Sequence, residues 1–493
     1  MLHHLIAATV ATAPERPALI DDRGGTLTFA ELDRYSAALA GWVAAQTDPG
    51  ERVAVVADNS VAYGLLYYAV ARAGRILALI NQRLDPAEQA GQIAVSDPRI
   101  LLGDSAYLDA LDNQVLAIRF GSTEWQRALH HSRFSGSAPT EDDPAWLVFT
   151  SGSTGAPKGA VHTHRSLAAA VRGTVEGRSV PANDVYLFPF PMCHIAGYNV
   201  LVRHATGSTV LLAKQFRPAE FVATVNAHRV ASCSLAPTML HALLAHLESA
   251  GAPVMPTLRE IAYGSAAISA DVIDRAGALG VDFHQGYGMT ETGGNVTFLG
   301  PADHRAGVGG AAELLRSAGF PHSAVEVAID GAGATGEVLI RGPQVMAGYW
   351  PDVVPPADGW LRTGDIGRLD ATGRLWIVDR AKDVIITGGE NVSSREVEDV
   401  LSTHPDVDAV AVVGVPDEYW GEAICAVVVA RADARPSPKE LEGHVRKHLS
   451  SFKRPRHVLF VDALPATANG KVAKGRIRAF ARRAVTGAGV VSD

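Results

Sequence analysis

The chain has 493 residues, 47% hydrophobic and 19% charged, which is enough for more than one buried core and excludes wholesale disorder. With 44 Lys and Arg against 52 Asp and Glu, the formal charge of −8 argues against a nucleic-acid binder that works through a general basic surface. Cys193, Cys233 and Cys425 are widely spaced and form no CxxC pair, which argues against a disulfide framework or zinc site and favours a reducing, cytoplasmic setting.

The first residues are mildly apolar but reach Pro14, Glu15 and Arg16 early and lack a basic flank, so they read as a packed helix, not a secretory signal. No run of about 20 apolar residues occurs, so no membrane span is expected. Peripheral membrane contact and a homodimer stay open. Strands are expected at 26–29, 53–57, 76–80 and 100–102, with helices over 32–43, 61–73 and 86–95. This βαβα alternation predicts a parallel sheet with helices on both faces. The alternation resumes after residue 160. From about 295 the chain becomes β-rich, with short strands at 325–329, 337–340 and 375–378. After Asp379 it mixes helices (394–401, 438–449) with strands (409–413, 423–429, 457–461). The expected fold is therefore α/β. Residues 1–380 are expected to form a large domain with a β-rich subdomain at about 295–380, and 381–493 a small α+β domain.

Residues 149–159 read Phe-Thr-Ser-Gly-Ser-Thr-Gly-Ala-Pro-Lys-Gly and follow an apolar strand. Hydroxyls, glycines and Lys158 in one short loop form an anion cradle, in which backbone N–H groups turn inward and the lysine adds charge. The GxGxxG run Gly331–Gly336 is a different matter. A strand follows it where the dinucleotide fingerprint requires a helix, so it reads as a hairpin turn and the nicotinamide oxidoreductase reading is rejected. The pair His162 and His164 lacks acidic or cysteine partners at ligand spacing, which argues against a metal site there.

Further segments combine with the loop in a fixed order. They are residues 285–292 (Gln-Gly-Tyr-Gly-Met-Thr-Glu-Thr), 360–365 (Trp-Leu-Arg-Thr-Gly-Asp), 379–386 (Asp-Arg-Ala-Lys-Asp-Val-Ile-Ile), 388–391 (Gly-Gly-Glu-Asn) and 465–471 (Pro-Ala-Thr-Ala-Asn-Gly-Lys). Over residues 15–480 the set resembles the adenylate-forming superfamily of acyl-CoA synthetases, luciferases and peptide-synthetase adenylation domains. The resemblance implies an ATP-dependent ligase that makes an acyl-AMP and then an acyl-CoA, with ATP, Mg2+ and CoA as its small molecules. It also implies two parallel-sheet αβαβα subdomains and a small β-barrel-like unit in the large domain.

By that resemblance, Thr150, Ser151, Gly152, Ser153, Thr154, Gly155 and Lys158 hold the phosphates. Tyr287 packs on adenine, with Gly264, Ser265 and Ala266 on its other face, and Gln285, Gly286 and Gly288 complete that wall. Thr290 touches the α-phosphate, Glu291 is the metal ligand, and Asp365 and Arg380 hold the ribose. Lys471 neutralises the charge that develops as a carboxylate meets the α-phosphate. His194 gates an acyl pocket that includes Gly264, Ala267 and Asn295. Lys382 is the hinge about which the C-terminal domain changes pose, and Gly388, Gly389, Glu390 and Asn391 line a pantetheine tunnel. The segment around His194 has no aspartate, which disfavours an α-amino acid. Tyr263-Gly-Ser-Ala-Ala-Ile268 departs from the family's usual run, and its small residues suit a medium- to long-chain fatty acid or a hydrophobic cyclic or aryl acid. An acyl-AMP ligase loading a carrier protein and a non-catalytic adenylate-binding homologue are the alternatives.

Overall fold

The computed structural model describes residues 1–111, 115–150, 157–250, 255–264, 268, 270–277, 279–331, 333–387, 390–432, 434–467 and 472–485. They form two compact units. The larger takes in Met1–Val327, Ile340–Leu361 and Asp370–Leu375; the smaller takes in Ala328–Leu339, Arg362–Leu369 and Trp376–Asp493.

The larger unit rests on two sheets. In one, strands run side by side in the order Ser317–Pro321, Gly294–Leu299, Asp282–Met289, Glu260–Gly264, Ser232–Leu235, Val185–Phe188, Thr209–Leu212, Pro17–Asp21 and Thr26–Thr28. From Asp282–Met289 to Pro17–Asp21 the neighbours are parallel, and antiparallel strands close both ends. The other sheet has the order Gly348–Trp350, Lys158–Thr163, Pro144–Thr150, Ile76–Leu79, Arg52–Val56, Ile100–Gly103 and Leu116–Arg119. Its last five strands are parallel, and the Gly348–Trp350 and Lys158–Thr163 strands are antiparallel additions. Near-continuous apolar strands such as Val53–Val56 and Leu77–Leu79 are buried, as a sheet covered on both faces requires.

The expected strand at 26–29 ends one residue early. Thr28 Oγ1 accepts from Glu31 N at 3.2 Å and Glu31 reaches back to Thr28 N at 3.0 Å, so this capping box assigns Phe29 to the helix Phe29–Gln46. At the N-terminus, Leu2 and Ile6 are fully buried in the main apolar core, which is the packed reading of that segment. No helix among the described residues is long and apolar enough to cross a membrane.

In each sheet the chain reverses direction across the strand order after one particular strand. The strand after Val185–Phe188 joins on one side and the next joins on the other; Arg52–Val56 does the same in the second sheet. Ligand crevices of open α/β sheets form at the carboxyl ends of such strands. The segments leaving these two points meet. Asn59 donates to the carbonyls of Phe190 (2.7 Å) and Ala213 (2.8 Å) and accepts from Met192 N (2.9 Å).

The smaller unit takes in most of the neighbouring strands Glu326–Asp330, Gly336–Arg341, Leu361–Leu369 and Leu375–Arg380. Gly331–Gly336 joins two of these strands, so no helix N-terminus follows it and the dinucleotide reading fails on geometry. A second sheet carries Glu390–Val392, Ile385–Thr387, Gly421–Ala430 and Val407–Asp417, with His457–Phe460 parallel to Gly421–Ala430. Helices Ser394–Leu401 and Pro438–His448 bury Val397, Leu401, Leu441 and Val445 against it.

Candidate active site

Gly264, Gly286 and Gly288, expected at the adenine, lie towards the ends of adjacent strands. Gly264 pairs with Gly286, and Gly288 pairs with Asn295. A Cβ on Gly264 would lie 2.7 Å from the Gly286 carbonyl oxygen, and one on Gly288 would lie 2.1 Å from the Gly294 oxygen. The Asn295 side chain covers Gly286, leaving 2.1 Å for a Cβ there. Gly264 and Gly288, which meet backbone, are therefore needed there, whereas Gly286 meets only the Asn295 side chain. Gly288→Ala is expected to cost about 1–3 kcal/mol of stability and to abolish ATP–pyrophosphate exchange. Gly91→Ala, with nothing within 4 Å of an added Cβ, is the control for thermal melting.

Beyond Met289 the chain makes one tight turn, Thr290–Thr292, which presents Thr290 and Glu291. Thr292 Oγ1 accepts from Met289 N (2.9 Å) and donates to the Gly294 oxygen (2.7 Å), closing the turn from inside. His162 Nε2–H donates to the Thr290 carbonyl at 2.7 Å, and burial pushes the ring's pKa down to about 4, so it stands there neutral. Met346 N donates to the Glu291 carbonyl at 2.9 Å. The Glu291 carboxylate itself accepts a 2.6 Å hydrogen bond from the Tyr349 phenol. Tyr349 lies in the strand paired with Lys158–Thr163, and Lys158 Nζ is 5.8 Å from the centre of its ring. At the same end of that strand, Thr150 on the other side pairs with Lys158.

His194 heads the short turn Ile195–Gly197, in the segment that Asn59 holds. Tyr198, just beyond, places its hydroxyl 3.1 Å from Thr174 Oγ1 and accepts from Asn295 N at 3.3 Å. Its ring would lie 2.6 Å from a Cβ on Gly294. The His194 segment and Asn295 are thus brought to one place through Tyr198. Cys193 is buried there, and desolvation pushes its thiol up to about 12. Tyr263, next to Gly264, has its hydroxyl 2.8 Å from His304 Nε2 and 3.3 Å from Gln285 Oε1, which makes Gln285 part of a buried wall.

Within the smaller unit, Asp365 is buried and pairs with Arg380, Nε to Oδ1 at 2.6 Å. Gly364 takes a positive φ of 70°, and Thr363 Oγ1 accepts from Asp365 N (3.1 Å) while donating to the Val338 carbonyl (2.7 Å). The positive φ of Gly364 thus falls inside the strand Leu361–Leu369, directly before the buried acid. Asp379 accepts from the backbone N–H and hydroxyl of Ser394 (2.6 and 2.9 Å), tying the segment before Lys382 to the helix Ser394–Leu401. The Lys382 carbonyl accepts from Arg478 at 3.2 Å. Glu390 and Asn391 pair with Thr387 and Ile386.

Ser151, Gly152, Ser153, Thr154, Gly155, Ser265, Ala266, Ala267, Gly388, Gly389 and Lys471 lie outside the described residues. Tyr349, Asn59, Tyr198 and the supporting role of His162 were not legible as site features, though the last sits four residues past Lys158. No three His, Cys, Asp or Glu side chains among the described residues converge as a metal cage. A lone Glu291 carboxylate fits a magnesium ion that arrives on a triphosphate, because Mg2+ keeps most of its shell as water and phosphate oxygen.

The pattern of the AMP-binding enzyme family matches residues 6–350, and that of the AMP-binding enzyme C-terminal domain matches 396–471. A feruloyl-CoA synthase from an Amycolatopsis species is 36% identical over 474 residues, covering 92% of this chain and 94% of that protein. Among solved structures, an amide bond synthetase from Marinactinospora thermotolerans superposes with a TM-score of 0.85 at 32% identity, covering 97% of this chain and 99% of that one. The o-succinylbenzoate CoA synthetase of Bacillus subtilis, in complex with its acyl-adenylate intermediate, gives 0.84 at 29% identity over 96% of this chain and 97% of that one. With both patterns present and relatives covering nearly its whole length, the chain belongs to the AMP-binding enzyme family, as an AMP-forming acid–thiol ligase.

Proposed function

We propose that the chain is an acyl-CoA synthetase for aryl carboxylic acids. In the first step a carboxylate oxygen attacks the α-phosphorus of ATP, forming acyl-AMP and releasing pyrophosphate. In the second, the CoA thiol attacks the acyl carbon, forming the thioester and releasing AMP. The observation that carries this reading is the turn presenting Thr290 and Glu291, held by His162 at one carbonyl and by Tyr349 at the carboxylate, beside Lys158.

Magnesium bound with ATP supplies positive charge to the triphosphate, and Glu291 is the residue that would hold it. Lys158 and the loop hydroxyls orient the phosphates, Tyr287 and Gly264 flank the adenine, and Thr290 fixes the α-phosphate. Asp365 accepts from the ribose hydroxyls with Arg380 beside it, Lys471 neutralises the oxygens between acid and phosphorus, and His194 borders the acyl group. Glu390 and Asn391, with Gly388 and Gly389, serve the pantetheine, with Lys382 as the hinge. Free buried thiols at Cys193, Cys233 and Cys425 suit a reducing cytoplasm.

The aryl preference is supported by relatives whose named acids are aryl, the feruloyl-CoA and o-succinylbenzoate enzymes. The test is competition among aryl-propenoic, arylacetic, alicyclic and short to long fatty acids with ATP, magnesium and CoA, read by mass spectrometry. Aryl-CoA is expected to dominate. A dominant fatty acyl-CoA would overturn the acid class, and acyl-AMP without thioester would move the acceptor to a carrier protein.

A further inference from the structure

We propose that Tyr349 is a positioning residue for adenylation: its phenol holds one oxygen of the Glu291 carboxylate and so aims the other at the metal–triphosphate. This rests on the reading of Glu291 as the metal-binding acid. The contact joins residues 58 apart and is 2.6 Å long, the length of a charge-assisted O–H···O⁻ bond. Both partners are fixed from behind. The Glu291 backbone is held by Met346, and the Thr290 carbonyl before it by His162. Tyr349 sits in a strand whose register sets it opposite Ala160, two residues from Lys158.

One strand pair therefore carries both the lysine of the phosphate loop and the phenol that orients the acid, so that loop and metal ligand share a rigid reference. A glutamate side chain left free would have to be ordered each time the ligand arrives, at a cost in rotamer entropy. A phenol suits the task because it donates one proton, stays neutral beside the acid, and leaves the second carboxylate oxygen available. Groups that orient a metal ligand in this way are typically worth about 10- to 100-fold in metal affinity or activity.

The test compares the wild type, Tyr349→Phe, Glu291→Ala and the double variant. At fixed ATP, the thermal stabilisation of each protein is followed as magnesium is titrated, so no turnover is required. Tyr349→Phe keeps the ring over Lys158, and melting without nucleotide reports any loss of packing separately. The expected result is a rise of about 10-fold in the magnesium midpoint for Tyr349→Phe. The expected kinetic counterpart is a lower rate of ATP–pyrophosphate exchange with KM for the acid unchanged. The double variant is expected to match Glu291→Ala. A wild-type midpoint in Tyr349→Phe, with a shifted one in Glu291→Ala, overturns the inference alone. A wild-type midpoint in Glu291→Ala overturns the reading of Glu291 as metal ligand, and the inference with it. Additive shifts in the double variant would show that the phenol acts through something other than this carboxylate, which also overturns it.

Discussion

Replacing Lys471 with alanine is expected to slow acyl-adenylate formation by roughly 100- to 1,000-fold, because on the proposed reading the variant loses the charge that meets oxygens that become more negative only in the transition state. Binding of ATP should change far less, since the ground state does not present that charge. Thioester formation from chemically supplied acyl-AMP is expected to survive, because the family resemblance takes Lys471 out of the site in the thioester-forming pose. The competing view of Lys471 is one more cation in a basic tail. Two of its neighbours are already committed to structure: Lys474 bonds Ser394 Oγ (2.6 Å) and Glu398 (2.9 Å), and Arg478 pairs with Asp383 (2.8 Å). Lys474→Ala is therefore expected to lower the melting temperature of the C-terminal segment without a comparable loss of adenylation. ATP–pyrophosphate exchange, thioester formation from acyl-AMP and calorimetry of both variants check this; equal losses in both half-reactions for Lys471→Ala would contradict it.

The second large effect is acid instability. His162 and His204 are fully buried, and desolvation pushes each pKa down to about 4 from an ordinary 6.5. Both are satisfied in the neutral form. His162 Nε2–H donates to the Thr290 carbonyl at 2.7 Å; His204 Nε2–H donates to the Ala18 carbonyl at 3.0 Å and its Nδ1 lies 2.7 Å from the Tyr68 hydroxyl. Between pH 6.5 and 4 the unfolded chain binds protons that the folded one refuses, so stability is full above 6.5 and falls as pH drops through that window. Each ring contributes up to about 3 kcal/mol of loss by pH 4. Calorimetry from pH 8 to 4 should show a melting temperature that is level at first and then falls steeply below 6.5. His162→Gln keeps a donor for Thr290 without a titrating ring, and its loss over the same window should be smaller by about 3 kcal/mol.

What could be read from the sequence was whatever is written contiguously. Strand periodicity and the phosphate loop are local patterns, and Thr363-Gly364-Asp365 is a contiguous run within one strand whose glycine adopts a positive φ beside the acid. What could not be read were contacts made by folding. Tyr349 meets Glu291 across 58 residues, and Asn59 meets Met192 across 133, joining the crossover points of two sheets. A tyrosine after glycine and an asparagine after an apolar strand carry no local signature of those partners. The wrong boundary at Phe29 has the same origin in miniature: apolar alternation favoured a strand, and the Thr28–Glu31 capping box decided otherwise. His162 stands two residues from His164 as a metal pair would, whereas burial keeps it neutral as the support of the Thr290 carbonyl.

The central claim is that a carboxylate attacks the α-phosphorus of ATP, and isotope transfer tests it most directly. An aryl acid labelled with oxygen-18 in its carboxylate would be converted to its CoA thioester with unlabelled ATP, and the phosphorus products analysed by mass spectrometry. The account predicts one labelled oxygen in AMP and none in pyrophosphate. Label in inorganic phosphate with ADP as the nucleotide product would mean an acyl-phosphate route and would contradict it.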